Sequence, residues 1–296
     1  MLPADAPFAL CLTHDVDRPY KTYQSLVFAL TERSPSHLRA LLPGSNPYWQ
    51  FESIAALEAD LGVRSAFYVL NEPSLFATRP PGEWPSVENL VEHAGRYDVT
   101  DDELVGVLRT LDEGGWEIGV HGSFHTDDDP DRLAVEKATL ESLVGHEVAG
   151  CRQHHLKLGP STWRVQRDLG FRYDASLGSR SSVGFLHGYD PLVPFDDEFV
   201  VFPLTGMEVA FPDPGADFAA AAAACEALVD EAAANGAVGT VLWHPRYFNE
   251  AEFPGYRRLY RHLVEYALAS DGWVGPPGEL YEWLVKHERL PLGRQE

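Results

Sequence analysis

Residues 115–126 read Gly-Trp-Glu-Ile-Gly-Val-His-Gly-Ser-Phe-His-Thr, a short alternating stretch that runs straight into two histidines. Trp116, Ile118 and Val120 alternate with Glu117 and Gly119, the period of a strand with one face buried. Just upstream, Leu104, Val107, Leu108 and Leu111 recur at helical spacing, and Gly114-Gly115 supplies a stop. Thr100 followed by Glu103 predicts a capping box at the start of that helix. A helix feeding a strand whose C-terminal end carries polar side chains is the repeating unit of an α/β fold. Imidazole is the commonest side-chain ligand for zinc and related ions, and Gly122 and Ser123 permit the turn that lets His121 and His125 converge.

The same unit recurs in both directions along the chain. Residues 8–13 form a continuous apolar strand that ends at His14-Asp15-Val16-Asp17. Residues 21–32 suit a helix, and 33–50, with Pro35, Pro43, Gly44 and Pro47, a loop or lid. Ile54, Leu57 and Leu61 predict a helix stopped by Gly62, followed by a strand over 64–70. Residues 71–99 read as irregular, and Asp129-Pro130 as a helix start. Further strands are expected at 148–156, 171–177, 199–204 and 237–243, with helices at 161–169, 217–234, 255–269 and 279–287 and a short strand-like piece at 273–274. About seven parallel strands interleaved with helices favour one domain over 1–296, a distorted (β/α) barrel, over a doubly wound sheet. No GxGxxG or phosphate-binding loop follows any strand, which excludes a dinucleotide or nucleoside triphosphate site of those kinds.

Composition narrows the function classes. A formal net charge of −22 disfavours nucleic acid, whose phosphates need basic partners. Only four of the 23 basic residues are lysine, and this acidic, lysine-poor composition resembles that of proteins adapted to high salt. There is no apolar run long enough for a membrane span and no signal-peptide pattern, so a cytoplasmic location is expected. Cys11, Cys151 and Cys225 are widely spaced in apolar contexts and suit reduced core thiols.

Three acid or histidine clusters fall at predicted strand ends: Asp15 with Asp17, His121 with His125, and His244. In a barrel these ends share one face. One carboxylate and two imidazoles around a metal ion, with positions left for water and substrate, make a hydrolytic arrangement. Asp15 and Asp17 are expected to divide the work between metal ligand and base, on the reasoning that alternate side chains of a strand point apart.

The chain resembles the polysaccharide deacetylase family, metal-dependent carbohydrate esterases with a NodB-type homology domain. The motifs that carry the resemblance are THDVD at 13–17, HGSFH at 121–125, Cys151-Arg152, and Leu242-Trp243-His244, which occur in the family's order. The resemblance implies a distorted (β/α) barrel that hydrolyses an N-acyl group, acetyl above all, from an amino sugar or glycan precursor. It implies that Asp17, His121 and His125 hold a divalent ion, Zn²⁺ first and Co²⁺ or Ni²⁺ as alternatives. Asp15 would be the general base, His244 the acid for the departing amine, Arg152 the partner of Asp15, and Asp174 the group that keeps His244 protonated. Two departures mark this chain. Val16 separates the aspartates, as in the branch that includes cyclic-amide hydrolases, so their roles are exchangeable, and Gln153-His154-His155 stands where proline usually follows the arginine.

Blander readings stand beside these. Arg152 can be a buried ion-pair partner only, and Asp174 a turn residue. His14, His154, His155 and His187 suit polar or solvated positions better than ligation. Tyr48, Trp49, Trp243 and Tyr247 can stack on a sugar or simply pack in the core. Arg18, Lys21, Arg152 and Arg246 can form a basic patch for an anionic carrier. Besides N-acyl sugar hydrolysis, the alternatives are hydrolysis of a non-sugar linear or cyclic amide and a non-catalytic glycan-binding module; oligomeric state is left open.

Overall fold

The computed structural model describes residues 2–21, 46–74, 81–84 and 96–291. All but Lys21 of the helix expected at 21–32 and most of the loop expected at 33–50 lie outside the described residues, as does much of 71–99. The strands are β1 Ala9–Val16, β2 Ala66–Leu70, β3 Glu117–Gly122, β4 Gly150–Gln153, β5 Tyr173–Asp174, β6 Val200–Val201, β7 Gly206–Met207, β8 Val238–Leu242 and β9 Trp273–Gly275. The helices among the described residues are α1 Phe51–Leu61, α2 Asp102–Glu113, α3 Pro130–Val144, α4 Thr162–Asp168, α5 Phe218–Asn235, α6 Tyr256–Ala269 and α7 Pro277–Lys286. None of them is long and apolar enough to cross a membrane.

Among the described residues the named strands pair in parallel, in the order β6-β5-β4-β3-β2-β1-β8-β7, with β9 added on β1; one isolated bridge, Leu192 to Val201, is antiparallel. Parallel neighbours need a crossover, and α1, α2, α3 and α4 supply it along the first half of the chain. The stretch expected as one strand at 199–204 is instead split. Its start, β6, pairs with β5 and its end, Leu204, bridges Gly178; β7, just beyond it, pairs with β8. Both ends of the sheet therefore meet on one stretch of chain, 200–207, and the sheet curls into a distorted (β/α) barrel. Closing a sheet this way removes its open edges.

Alternation divides the core in two. Leu10, Leu12, Phe67, Val69, Ile118 and Val120 point outward and pack under the helices with Leu104, Leu108, Leu259 and Leu263. Ala9, Cys11, Ala66, Tyr68, Tyr173, Val200 and Val238 point inward and fill the lumen. The two large tyrosines fit because glycine faces each of them. A Cβ on Gly119 would lie 2.5 Å from the Tyr68 ring, and one on Gly150 would lie 2.2 Å from the Tyr173 hydroxyl. Leu280, Tyr281 and Leu284 of α7 close the bottom of the lumen, so the open end lies at the C-terminal ends of the strands.

The capping box at Thr100 does not form. Asp101 is the N-cap of α2 and accepts from the Glu103 N–H at 3.0 Å, while the Thr100 hydroxyl donates to Asp98 at 2.6 Å. Several acceptors in succession compete here, and a carboxylate is a stronger acceptor than a hydroxyl. At Asp129 the expected cap is present, accepting from Arg132 N–H at 3.1 Å.

At the closed end, Glu117 points into the lumen, where Tyr173 Oη donates to it and the Gly278 N–H donates at 2.8 Å. Burial raises its carboxyl from 4.5 to about 7, against the opposing pull of those two hydrogen bonds. The folded-state value exceeds the unfolded one, so this group's contribution is fully present below pH 4.5 and is lost as pH rises through about 7. Between pH 5 and pH 8 the wild type should lose about 2–3 kcal/mol of stability that Glu117→Gln does not lose. Urea unfolding of both proteins at the two pH values measures the difference. Equal slopes would show that Glu117 ionises normally.

Candidate metal centre and active site

Lumen-facing positions continue past the strand ends in steps of two. On β1 they are Thr13 and Asp15, then Asp17; on β3, Gly119 and His121; on β4, Gly150 and Arg152, then His154; on β8, Thr240 and Leu242, then His244. This parity brings Asp15, Asp17, His121, His154 and His244 to the wall of one cavity of about 290 Å³ at the open end of the barrel. Asp15 and Asp17 thus face the same way. The expectation that alternation would separate them is corrected, because residues two apart on a strand share a face.

Three donor atoms converge at the floor of the cavity. Asp17 Oδ1 lies 3.1 Å from His121 Nε2 and 3.3 Å from His154 Nδ1, and the two ring nitrogens are 3.0 Å apart. Asp17 Oδ1 is buried and makes no hydrogen bond of acceptable geometry among the described residues. The Nδ1 of His121 lies 2.9 Å from the Arg152 carbonyl, and that contact requires an N–H there, so Nε2 is the nitrogen turned toward Asp17 and open to an ion. Ligand atoms about 2.0–2.1 Å from a tetrahedral ion stand roughly 3.4 Å from one another, so an Asp-His-His set with these separations fits a divalent cation.

His125 is not part of this convergent set. The chain leaves the strand at Gly122, and the His125 ring sits edge-on to Phe124 with centroids 4.8 Å apart. His154 enters instead, because β4 ends at Gln153 and continues into a tight turn, His154–Leu156. His155 and Leu156 both adopt left-handed backbone angles, φ 58° and 57°, which are costly for non-glycine residues and recur at functional sites.

Asp15 is gripped from behind. Arg152, fully buried, donates from Nη1 to Asp15 Oδ1 at 2.9 Å and to Thr13 Oγ1 at 2.8 Å, and from Nε to the Ala175 carbonyl at 2.8 Å. Its guanidinium also stacks on Tyr68, 4.7 Å from the ring centroid. Burial works to raise the Asp15 carboxyl, but Arg152, helped by His121 and His244, holds it below the usual range. Its second oxygen, Oδ2, faces His121 Nε2 at 3.7 Å, so it borders the place where the donor atoms converge.

On the opposite wall His244 Nε2 lies 3.4 Å from Asp17 Oδ2, and its Nδ1 lies 2.8 Å from Glu208 Oε1. Burial alone would lower this imidazole, yet the Glu208 and Asp17 carboxylates raise it to about 10. Glu208 is the partner that Asp174 was expected to be. Asp174 follows lumen-facing Tyr173 and so points outward to α4, where it accepts from Trp163 Nε1 at 3.1 Å, Gln166 Nε2 at 2.9 Å and Ser176 Oγ at 2.5 Å. In sequence, the one signal for Glu208 is a lone acid between Met207 and Val209, four residues past the strand expected at 199–204.

The remaining expectations sort cleanly. His14 is core, with Nδ1 2.6 Å from the Trp243 carbonyl and Nε2 2.9 Å from Glu58; His187 is exposed. Of the aromatics, Tyr247 lines the cavity, whereas Trp243 is fully buried between Phe211 and Tyr260.

No protein-family model matches the chain, and comparison with curated proteins finds no match. Solved structures do resemble it. The putative polysaccharide deacetylase from Mycobacterium smegmatis superposes with a TM-score of 0.64 at 17% identity, covering 100% of this chain and 96% of that one. The probable polysaccharide deacetylase from Pseudomonas aeruginosa PAO1 gives 0.61 at 13% identity, covering 97% and 94%. Puue allantoinase gives 0.60 at 15% identity, covering 96% and 93%. The barrel is therefore the polysaccharide-deacetylase fold that the sequence motifs imply.

Proposed function

We propose that this chain is a metal-dependent amidohydrolase of the polysaccharide deacetylase type, which removes an N-acyl group, acetyl above all, from an amino sugar or glycan precursor. The observation that carries the proposal is the convergence of Asp17 Oδ1, His121 Nε2 and His154 Nδ1 between an acid–arginine pair and an acid–histidine pair. The fold shared with chains named as polysaccharide deacetylases supports it. Asp17, His121 and His154 would hold the divalent ion; two imidazoles and a carboxylate suit zinc and accept cobalt or nickel. When bound, the ion supplies a Lewis acid for the amide carbonyl and lowers the pKa of water.

The protein's own groups supply the proton transfers. Asp15, ionised by Arg152 and bordering the converging donors, accepts a proton from the attacking water as its oxygen bonds to the acyl carbon. His244, protonated through Glu208, gives its Nε2 proton to the amine nitrogen as the carbon–nitrogen bond breaks. Products are the free carboxylic acid and the amino sugar.

Glu208 is a positioning residue, and its removal has a directional consequence. Glu208→Gln takes away the carboxylate that raises His244, so the acid loses its proton at lower pH, and the alkaline limb of kcat/KM should move down by about one unit or more. A limb that stays put while kcat falls would mean that Glu208 serves packing alone.

A second reading, hydrolysis of a non-sugar linear or cyclic amide, is favoured by the spacing of Asp15 and Asp17 and by the fold likeness to an allantoinase. Metal-loaded protein assayed for acetate or formate release from N-acyl sugars, and for ring opening of cyclic amides, separates the readings. Release from no sugar overturns the first.

A further inference from the structure

The cavity is not uniformly acidic. Its floor carries three carboxylates, and each has a local counter-charge or a place for one: Arg152 on Asp15, His244 on Glu208, and the proposed cation site on Asp17. The walls add Arg180 and Arg246, which come from the segments following β5 and β8. Among the described residues neither has a carboxylate within 4.0 Å, in a chain with 45 acidic residues and 23 basic ones. Arg180 spends one donor, Nη1, on His155 Nδ1 at 3.2 Å, and Arg246 lies 5.2 Å from the Tyr247 ring centroid. A guanidinium carries five N–H donors in a fixed fork, so both keep donors for a planar or tetrahedral oxyanion.

The basic patch expected from sequence is thereby redrawn. Lys21 is bound to Glu252 at 2.6 Å and Arg152 to Asp15 at 2.9 Å, so neither is available to a ligand; Arg18 and Arg246 do line the cavity, and Arg180 joins them. The strained turn at His155 and Leu156 seats the imidazole that holds Arg180 at the wall.

We infer that the substrate carries an anionic oxygen group, phosphate or carboxylate, that seats between Arg180 and Arg246 while its N-acyl group lies over Asp17, His121 and His154. This rests on the amidohydrolase reading and narrows its substrate class. A neutral acyl sugar would leave the remaining guanidinium donors of Arg180 and Arg246 without an anionic acceptor, whereas an anion supplies one.

The test compares N-acetylglucosamine, its 6-phosphate and an N-acetylated amino uronic acid, by calorimetric binding to metal-loaded protein and by acetate release. The wild type should bind and turn over at least one anionic sugar better than the neutral one, about tenfold or more. In Arg180→Gln, an exposed position whose folding a thermal melt checks, the anionic-to-neutral ratio should fall about tenfold; Arg246→Gln should lower it too. The phosphate and uronate arms show which anion is read. Equal handling of all three sugars overturns the inference, as does anion preference that neither substitution changes, since that anion would be held by the cation alone. If nothing turns over but the anionic sugar binds through Arg180, the anion site stands and the hydrolase reading falls.

Discussion

His154→Ala is expected to emerge without its divalent ion and to lose turnover on the order of 10³-fold, while His125→Ala keeps both. The two substitutions remove the same chemical group from neighbouring loops, so they isolate geometry. His154 Nδ1 stands 3.3 Å from Asp17 Oδ1 and 3.0 Å from His121 Nε2, within the span of one coordination shell; His125 is not in that set. Metal content of the purified proteins by mass spectrometry, read beside kcat, decides the matter. Should His125→Ala lose the ion and His154→Ala retain it, coordination follows the spacing of the HGSFH segment and the assignment to His154 is wrong.

Asp15→Asn should cost activity by about 10²–10⁴-fold, the contribution of a positioned general base. It should also cost stability, because the Arg152 guanidinium is left fully buried without its charge partner. Breaking a buried pair from one side costs about 3–5 kcal/mol. The double variant Asp15→Asn with Arg152→Met separates the two roles. Replacing the pair by a neutral, well-packed combination should recover much of the stability and none of the activity, as read by denaturant unfolding and by acetate release. Activity that returns with the double variant would remove Asp15 from the chemistry.

Much of the fold was legible because its signals are local. Trp116, Ile118 and Val120 alternate within β3, and Ile54, Leu57 and Leu61 recur on α1, so periodicity over a few residues sufficed. Asp129-Pro130 opened α3 as expected because a cap and a proline act on their own helix. The capping box at Thr100 failed for an equally local reason, since Asp98 and Asp101 outcompeted it with carboxylate acceptors. The split of 200–207 between two strand partners was not legible, because it follows from where the sheet's ends meet.

The site divides along the same line. By itself the sequence determined which strand ends carry acids, histidines and an arginine; that Asp15, Asp17, His121 and Arg152 share the lumen face came with the register of the folded strands. Only the tertiary structure decided the partnerships. His154 reaches Asp17 because the turn after β4 folds back over the lumen; Glu208 reaches His244 because β7 pairs with β8; Asp174 points to α4 because Tyr173 already takes the inward place. Such contacts join residues far apart in the chain, 137 positions for Arg152 and Asp15, and depend on register between strands, which the sequence of any one strand does not contain.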